Sequence, residues 1–218
     1  MSFLNDWIAW LPQLGPGVAI SLQLTGMALF FGFPFGLLLA AMAESRLATL
    51  RWISFLIVEV GRGLPALVLL YLLYFSLPDM GVILTSMTTA VIALSWNAGA
   101  YASEYFRAGL SAVPRGQKEA ALTSGFSRWT GFRLVILPQA LRISTPPLAG
   151  LAVLVFQGSA LAFVIAVPEL MSKAYEISSM TFRYLSVFSL TAIVYGLITW
   201  LFLALVKLLE VRLSRHLV

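Results

Sequence analysis

Glu59 and Arg62 stand three residues apart within a long apolar stretch, a spacing that puts opposite charges on one face of a helix. Charge inside an apolar span costs roughly 2.5–3.5 kcal/mol per residue on insertion scales, so such residues mark a pathway or a pair. As a pathway, they would meet the carboxylate and ammonium groups of a passing zwitterion. As a pair, they would only stabilise the bundle, and the spacing supports both readings. Asn97, Tyr101 and Glu104 form a second polar line at helical spacing, with Ser95 and Ser103 beside it. That line suits either the wall of a translocation path or bonds to adjacent helices, the commoner use. Gln157, Gly158 and Ser159 make a third polar interruption. Ser159 as the nucleophile of an intramembrane hydrolase lacks an activating histidine within the apolar segments. His216, the only histidine, lies beside Arg215 near the C-terminus and reads as a solvated tail residue.

The elements that hold these residues are membrane spans. Of 218 residues, 60% are hydrophobic and 11% charged, with a mean hydropathy of +0.93, whereas a soluble domain carries roughly 25% charged residues. Residues 1–218 read as one all-α membrane domain. The net charge of +5 comes largely from basic residues in loops between spans, where they signal topology and not a nucleic-acid surface. The absence of cysteine excludes a disulfide framework or thiolate metal site. Met1 to Gly17 contains no Lys or Arg, and the apolar run that follows outlasts a signal-peptide core of roughly 7–15 residues, so it is expected to stay as a span.

A helix needs about 20 apolar residues to cross the hydrocarbon. Five segments qualify: Val18 to Ala43, Trp52 to Leu77, Val82 to Tyr105, Pro146 to Val167, and Tyr184 to Leu209. Arg46 and Arg51 follow the first, and Arg107, Arg115, Lys118, Arg128, Arg133 and Arg142 follow the third. Arg212 and Arg215 follow the fifth, while the other connections carry little net positive charge. This asymmetry places the N-terminus outside and the C-terminus in the cytoplasm. Pro34 between Gly32 and Gly36, and Gly61, Gly63 and Pro65 in the second span, are helix breakers; the backbone groups they free must find protein or water. Gly32 and Gly36 also fit the small-residue helix-packing pattern.

The connection from Arg107 to Arg142 far exceeds the usual 2–8 residues between bundle helices. Pro114 opens a helix over Gln117 to Ser124, Gly125 stops it, and Ser127 caps a second helix. In that helix Trp129, Phe132 and Ile136 share an apolar face, and Pro138 is expected to end it. Such a hairpin suits the lipid interface. Ala120 and Ala121, however, anchor nothing in lipid and permit close approach by a partner.

The run Glu119-Ala120-Ala121, Gly125, Val135 and Leu137-Pro138 resembles the EAA loop of ABC importer permeases, with Val135 where isoleucine is usual. More narrowly, three stretches are similar to the polar amino acid permeases of the histidine, glutamine and arginine uptake systems. They are Glu59-Val60-Gly61-Arg62-Gly63-Leu64-Pro65, Gly99-Ala100-Tyr101-Ala102-Ser103-Glu104, and Val113-Pro114-Arg115-Gly116-Gln117-Lys118-Glu119-Ala120-Ala121. The likeness continues through Gln139-Ala140 and Pro146-Pro147-Leu148 to Val167-Pro168-Glu169-Leu170, covering most of the chain in order.

The resemblance implies a permease subunit of the bacterial inner membrane that moves an amino acid or similar solute. Gly116, Glu119, Ala120, Ala121 and Gly125 would then couple it to a cytoplasmic ATPase dimer that binds ATP and Mg. It also implies a second permease subunit and a periplasmic or lipid-anchored solute-binding protein. Glu59, Arg62, Asn97, Tyr101, Gln157 and Ser159 are the expected pathway residues. The chain itself has no Gly-x-x-x-x-Gly-Lys-Ser/Thr loop. Gln157-Gly158-Ser159-Ala160-Leu161 stands where related permeases usually show Lys-Asp-Thr-Ser-Leu. If the aspartate of related permeases meets a cationic group of the solute, its replacement by Gly158 counts against a cationic solute and leaves a neutral, acidic or modified amino acid, or a less selective half of a heterodimer. An ion-coupled secondary transporter is the alternative, but neither the internal repeats nor the coupling-ion sites usual for one are visible.

Overall fold

The computed structural model describes residues 3–214, and every regular element among them is helical. Arg215 and His216 lie outside the described residues. Helix α1 (Phe3–Ala43) runs unbroken for 41 residues through Pro12, Pro16 and Pro34, so it begins well before Val18. At 1.5 Å per residue it is about 60 Å long, roughly twice the hydrocarbon thickness. Its extra turns are held by packing: Trp10 and Leu14 are buried with Leu170, Ala174, Val187 and Leu190.

The second span is not straight. Helix α2 (Ala48–Gly63) ends where Pro65 pushes Leu64 into an extended conformation, φ −90° and ψ 139°. Helix α3 (Ala66–Tyr71) then starts afresh and widens into a π-helical turn over Leu72–Ser76. The two arms meet at 105°.

Helix α4 (Ser86–Ala112) is the central post, capped by Thr85, whose hydroxyl accepts the Thr88 N–H at 3.2 Å. Its contact with α1 is close because both helices use glycine there. A Cβ at Gly36 would lie 2.6 Å from the Gly99 carbonyl oxygen, and one at Gly32 would lie 2.9 Å from that of Ser95. Ala98 and Ala102 of α4 are fully buried beside this crossing. The small-residue pattern of Gly32 and Gly36 is therefore a packing seam within the chain.

Helix α5 (Arg115–Thr123) is followed by Gly125 at φ +83°, the left-handed turn that glycine adopts without strain. Ser127 caps α6 (Arg128–Gly131) by accepting the Thr130 N–H at 3.1 Å. That helix does not stop at Pro138. It passes through a π-helical turn at Phe132–Ile136 into α7 (Leu137–Gly158), with Pro138 in the first turn of α7. The wider turn absorbs the amide that proline lacks. A 3₁₀ segment, Ser159–Ile165, ends α7. Where a plain loop was expected, the chain forms α8 (Leu170–Thr181) before α9 (Tyr184–Ser214).

Three helical stretches among the described residues are long and apolar enough to cross a membrane: Asn5–Ala43, Arg128–Ile165 and Tyr184–Leu208. The bent pair α2–α3 makes a fourth if counted as one span. Helix α4 has the length, at about 40 Å, but falls outside this set. Several of its small and polar residues, Thr89, Ser95, Gly99 and Ser103 among them, are buried against neighbouring helices.

Candidate functional site

The last carbonyls of a helix lack partners within it, and at the α2 break α4 supplies donors. The Asn97 amide donates to the Gly61 carbonyl at 2.8 Å, and the Tyr101 hydroxyl donates to the Arg62 carbonyl at 3.4 Å. One turn earlier, Trp96 Nε1 donates to Ile57 at 3.0 Å. Gly61 is glycine because a Cβ there would lie 2.7 Å from the Trp96 indole. The polar line on α4 thus holds the broken span in place.

Beside the break lies a cavity of about 250 Å³. Ala66 opens α3 on one side; Leu94, Asn97, Tyr101 and Tyr105 of α4 form the next wall; Leu151, Leu154, Val155 and Gly158 of α7 complete it. A Cβ at Gly158 would meet nothing within 4 Å, so that wall has room. The volume falls below the roughly 300–1,000 Å³ of drug-sized pockets and suits one small solute.

A second cleft of about 280 Å³ lies between the end of α1, α2 and α4, and it holds the charges. Glu59 and Arg62 pair at 2.9 Å, both half-exposed. Arg107 pairs with Glu104 at 3.1 Å and approaches Glu44 at 3.8 Å. Tyr101 joins the two spaces, with its ring in the cavity wall and its hydroxyl on the backbone of Arg62.

Of the expected pathway residues, Asn97 and Tyr101 line the cavity, whereas Glu59 and Arg62 line the charged cleft. Gln157 is exposed, and Ser159 is buried with its hydroxyl donating to the Phe156 carbonyl at 2.7 Å. They flank Gly158, the residue of that trio in the cavity wall.

Sequence reading assigns no role to Glu169, which enters there only within the stretch Val167-Pro168-Glu169-Leu170. It is fully buried and caps α8, accepting the N–H groups of Met171 at 2.8 Å and Ser172 at 2.7 Å. The hydroxyls of Ser21 and Tyr195 donate to it at 3.2 and 3.1 Å, tying α1, α8 and α9 together. Burial pushes its carboxyl above the ordinary value, against the opposing pull of these four donors. Pro168 before an apolar helix start hints at a cap, but Glu is not a preferred capping residue.

On α5, Gly116, Glu119 and Ala120 are exposed, as is Gly125 beyond its end. Ala121 instead is 5% exposed, and a Cβ at Gly131 would lie 3.2 Å from its methyl. Its small size therefore serves packing inside the chain, and Ala120 is the alanine open to a partner.

Residues 32–217 match the family described as binding-protein-dependent transport system inner membrane component. The chain belongs to this family. A probable amino-acid ABC transporter permease protein of Bacillus subtilis (strain 168), YckA, is 36% identical over 94% of this chain and 91% of its own length. The L-cystine transport system permease protein TcyB of the same organism is also 36% identical, over 94% of this chain and 88% of its own. Among solved structures, an amino acid ABC transporter crystallised with histidines superposes with a TM-score of 0.91 at 34% identity, over 97% of this chain and 99% of that one. This chain is an ABC importer permease with apolar membrane helices, and nothing in these likenesses supports the ion-coupled alternative.

Proposed function

We propose that this chain carries an amino acid or amino-acid-like solute across the bacterial inner membrane when a partner ATPase drives it. The observation that carries this reading is the cavity at the α2–α3 break, sized for one small solute and walled by Asn97, Tyr101 and Gly158. The relatives named for amino acids and for L-cystine support that solute class. In this reading five spans, α1, α2–α3, α4, α6–α7 and α9, cross with the N-terminus outside. Helix α4 crosses inside the bundle, where its polar residues avoid lipid.

Helix α5 then lies in the cytoplasm as the coupling element. Its exposed Gly116, Glu119 and Ala120, with Gly125 behind them, meet an ATPase dimer that binds ATP and Mg. A second permease subunit, a copy or a homologue, completes the pathway, and an external solute-binding protein delivers the solute. Glu59 and Arg62 in the charged cleft lie on the solute's route, with Gln157 and Ser159 framing Gly158.

Reconstitution of the permease pair with its ATPase and binding protein tests this reading. Uptake of labelled amino acids is expected to require ATP on the cytoplasmic side. Uptake that persists without ATP and collapses with an ion gradient rejects it. An Ala120→Cys substitution is expected to crosslink to a cysteine in the ATPase groove, and failure under every nucleotide condition rejects the coupling role of α5.

A further inference from the structure

The two hollows beside the α2 end divide polarity sharply. Glu59, Arg62, Glu104 and Arg107 all lie in the charged cleft. The cavity contains none of them: Ala66, Leu94, Leu151, Leu154 and Val155 give it five apolar side chains, and its polar side chains are Asn97, Tyr101 and Tyr105. These three polar groups are all on α4, so α7 opposite presents only apolar surface and the bare backbone of Gly158.

A cationic or anionic side chain entering a chamber of about 250 Å³ with these walls would give up its hydration and find no counter-ion. An aliphatic or aromatic side chain would gain by leaving water. Tyr101 sits at the edge where the cavity borders Arg62, so a zwitterion's amino and carboxylate groups fit that polar edge with the side chain toward α7.

From this division we infer, resting on the transport reading above, that the solute is an amino acid with an uncharged, mainly apolar side chain. The cavity admits neither basic nor acidic side chains. Gly158 lets the inference be tested in both directions, since a Cβ there meets no atom within 4 Å and Gly158→Asp adds a carboxylate to this wall.

The experiment is equilibrium binding of tritiated leucine, phenylalanine, arginine and glutamate to the purified permease–ATPase complex without its binding protein, so that only the membrane site is read. Leucine and phenylalanine are expected to bind at least about 100-fold more tightly than arginine or glutamate. Gly158→Asp is expected to improve arginine binding by about tenfold or more and to weaken leucine. Gly158→Asn, similar in size but neutral, should give no such gain, and an unchanged elution profile shows that both variants fold.

Arginine or glutamate binding as tightly as leucine in the unsubstituted complex overturns the inference while leaving the cavity a solute site. An arginine gain equal in Gly158→Asp and Gly158→Asn overturns the electrostatic argument. Binding of none of the four, by the unsubstituted complex or by Gly158→Asp, removes the cavity as the solute's site and takes the inference with it.

Discussion

Asn97 and Gly61, 36 residues apart, are joined by a 2.8 Å hydrogen bond from a side-chain amide to a main-chain carbonyl. Through it the central helix holds the end of a span that bends by 105°, and the same Asn97 lines the cavity beside that end. Asn97→Leu removes the donor and leaves a partly buried carbonyl unsatisfied, which is expected to cost about 1–3 kcal/mol. Asn97→Asp sets a carboxylate against the carbonyl and is expected to cost more. Thermal unfolding of the solubilised complex checks the order; equal stability of all three proteins contradicts it.

The seam between α1 and α4 should respond very differently from the cavity wall to the same methyl group. Gly36→Ala forces a Cβ to within 2.6 Å of the Gly99 carbonyl oxygen, and an overpacked helix contact is expected to lose about 1–3 kcal/mol. Gly158→Ala meets open space and is expected to stay within about 0.5 kcal/mol. Denaturation midpoints of the two variants provide the comparison.

Glu169 carries a pH dependence whose sign follows from its burial. Its carboxyl is raised above 4.5 in the folded chain, so the folded state holds the proton more tightly than the unfolded state does. The stability linked to that proton is complete below about 4.5 and is lost as pH rises through the raised value. Glu169→Gln is expected to flatten this part of the stability–pH curve. Because it also puts an amide donor where an N–H or hydroxyl was accepted, it should lower stability at neutral pH. Identical curves for the two proteins, measured by unfolding across the acid range, contradict the assignment.

Neighbouring alanines on α5 should fail in different ways. Ala120 is exposed, so Ala120→Asp is expected to leave expression and elution unchanged while reducing ATP-driven uptake severalfold. Ala121 is packed against Gly131, so Ala121→Asp buries an unpaired charge and is expected to reduce the yield of folded complex. Uptake assays paired with size-exclusion profiles distinguish the two.

What is legible in the sequence is what local chemistry decides. Pro65 after Gly61 and Gly63 announces the break, Gly125 the left-handed stop and Ser127 the cap, and each appears as read. The line Asn97, Tyr101 and Glu104 also announces a polar face, but what it meets depends on where α2 ends: Asn97 and Tyr101 both bond to the end of α2 and line the cavity beside it. Features set by tertiary contacts stay hidden. Pro138 reads as a terminator until a π-helical turn accommodates it. Glu169 lies between two apolar segments and shows no role until Ser21 and Tyr195, each from a different helix, close around it. The extra turns of α1 fall before the expected start of the first span, and α8, itself not expected from hydropathy, supplies a surface for Trp10 and Leu14.

The central claim is that the solute occupies the cavity beside the broken span. Since the natural sequence has no cysteine, Gly158→Cys introduces a single thiol in that wall, and its rate of maleimide labelling can be followed in proteoliposomes containing the complete transporter. Saturating concentrations of the transported amino acid are predicted to slow labelling by about tenfold or more, as expected for near-full occupancy. Labelling at the same rate with and without that solute would contradict the account.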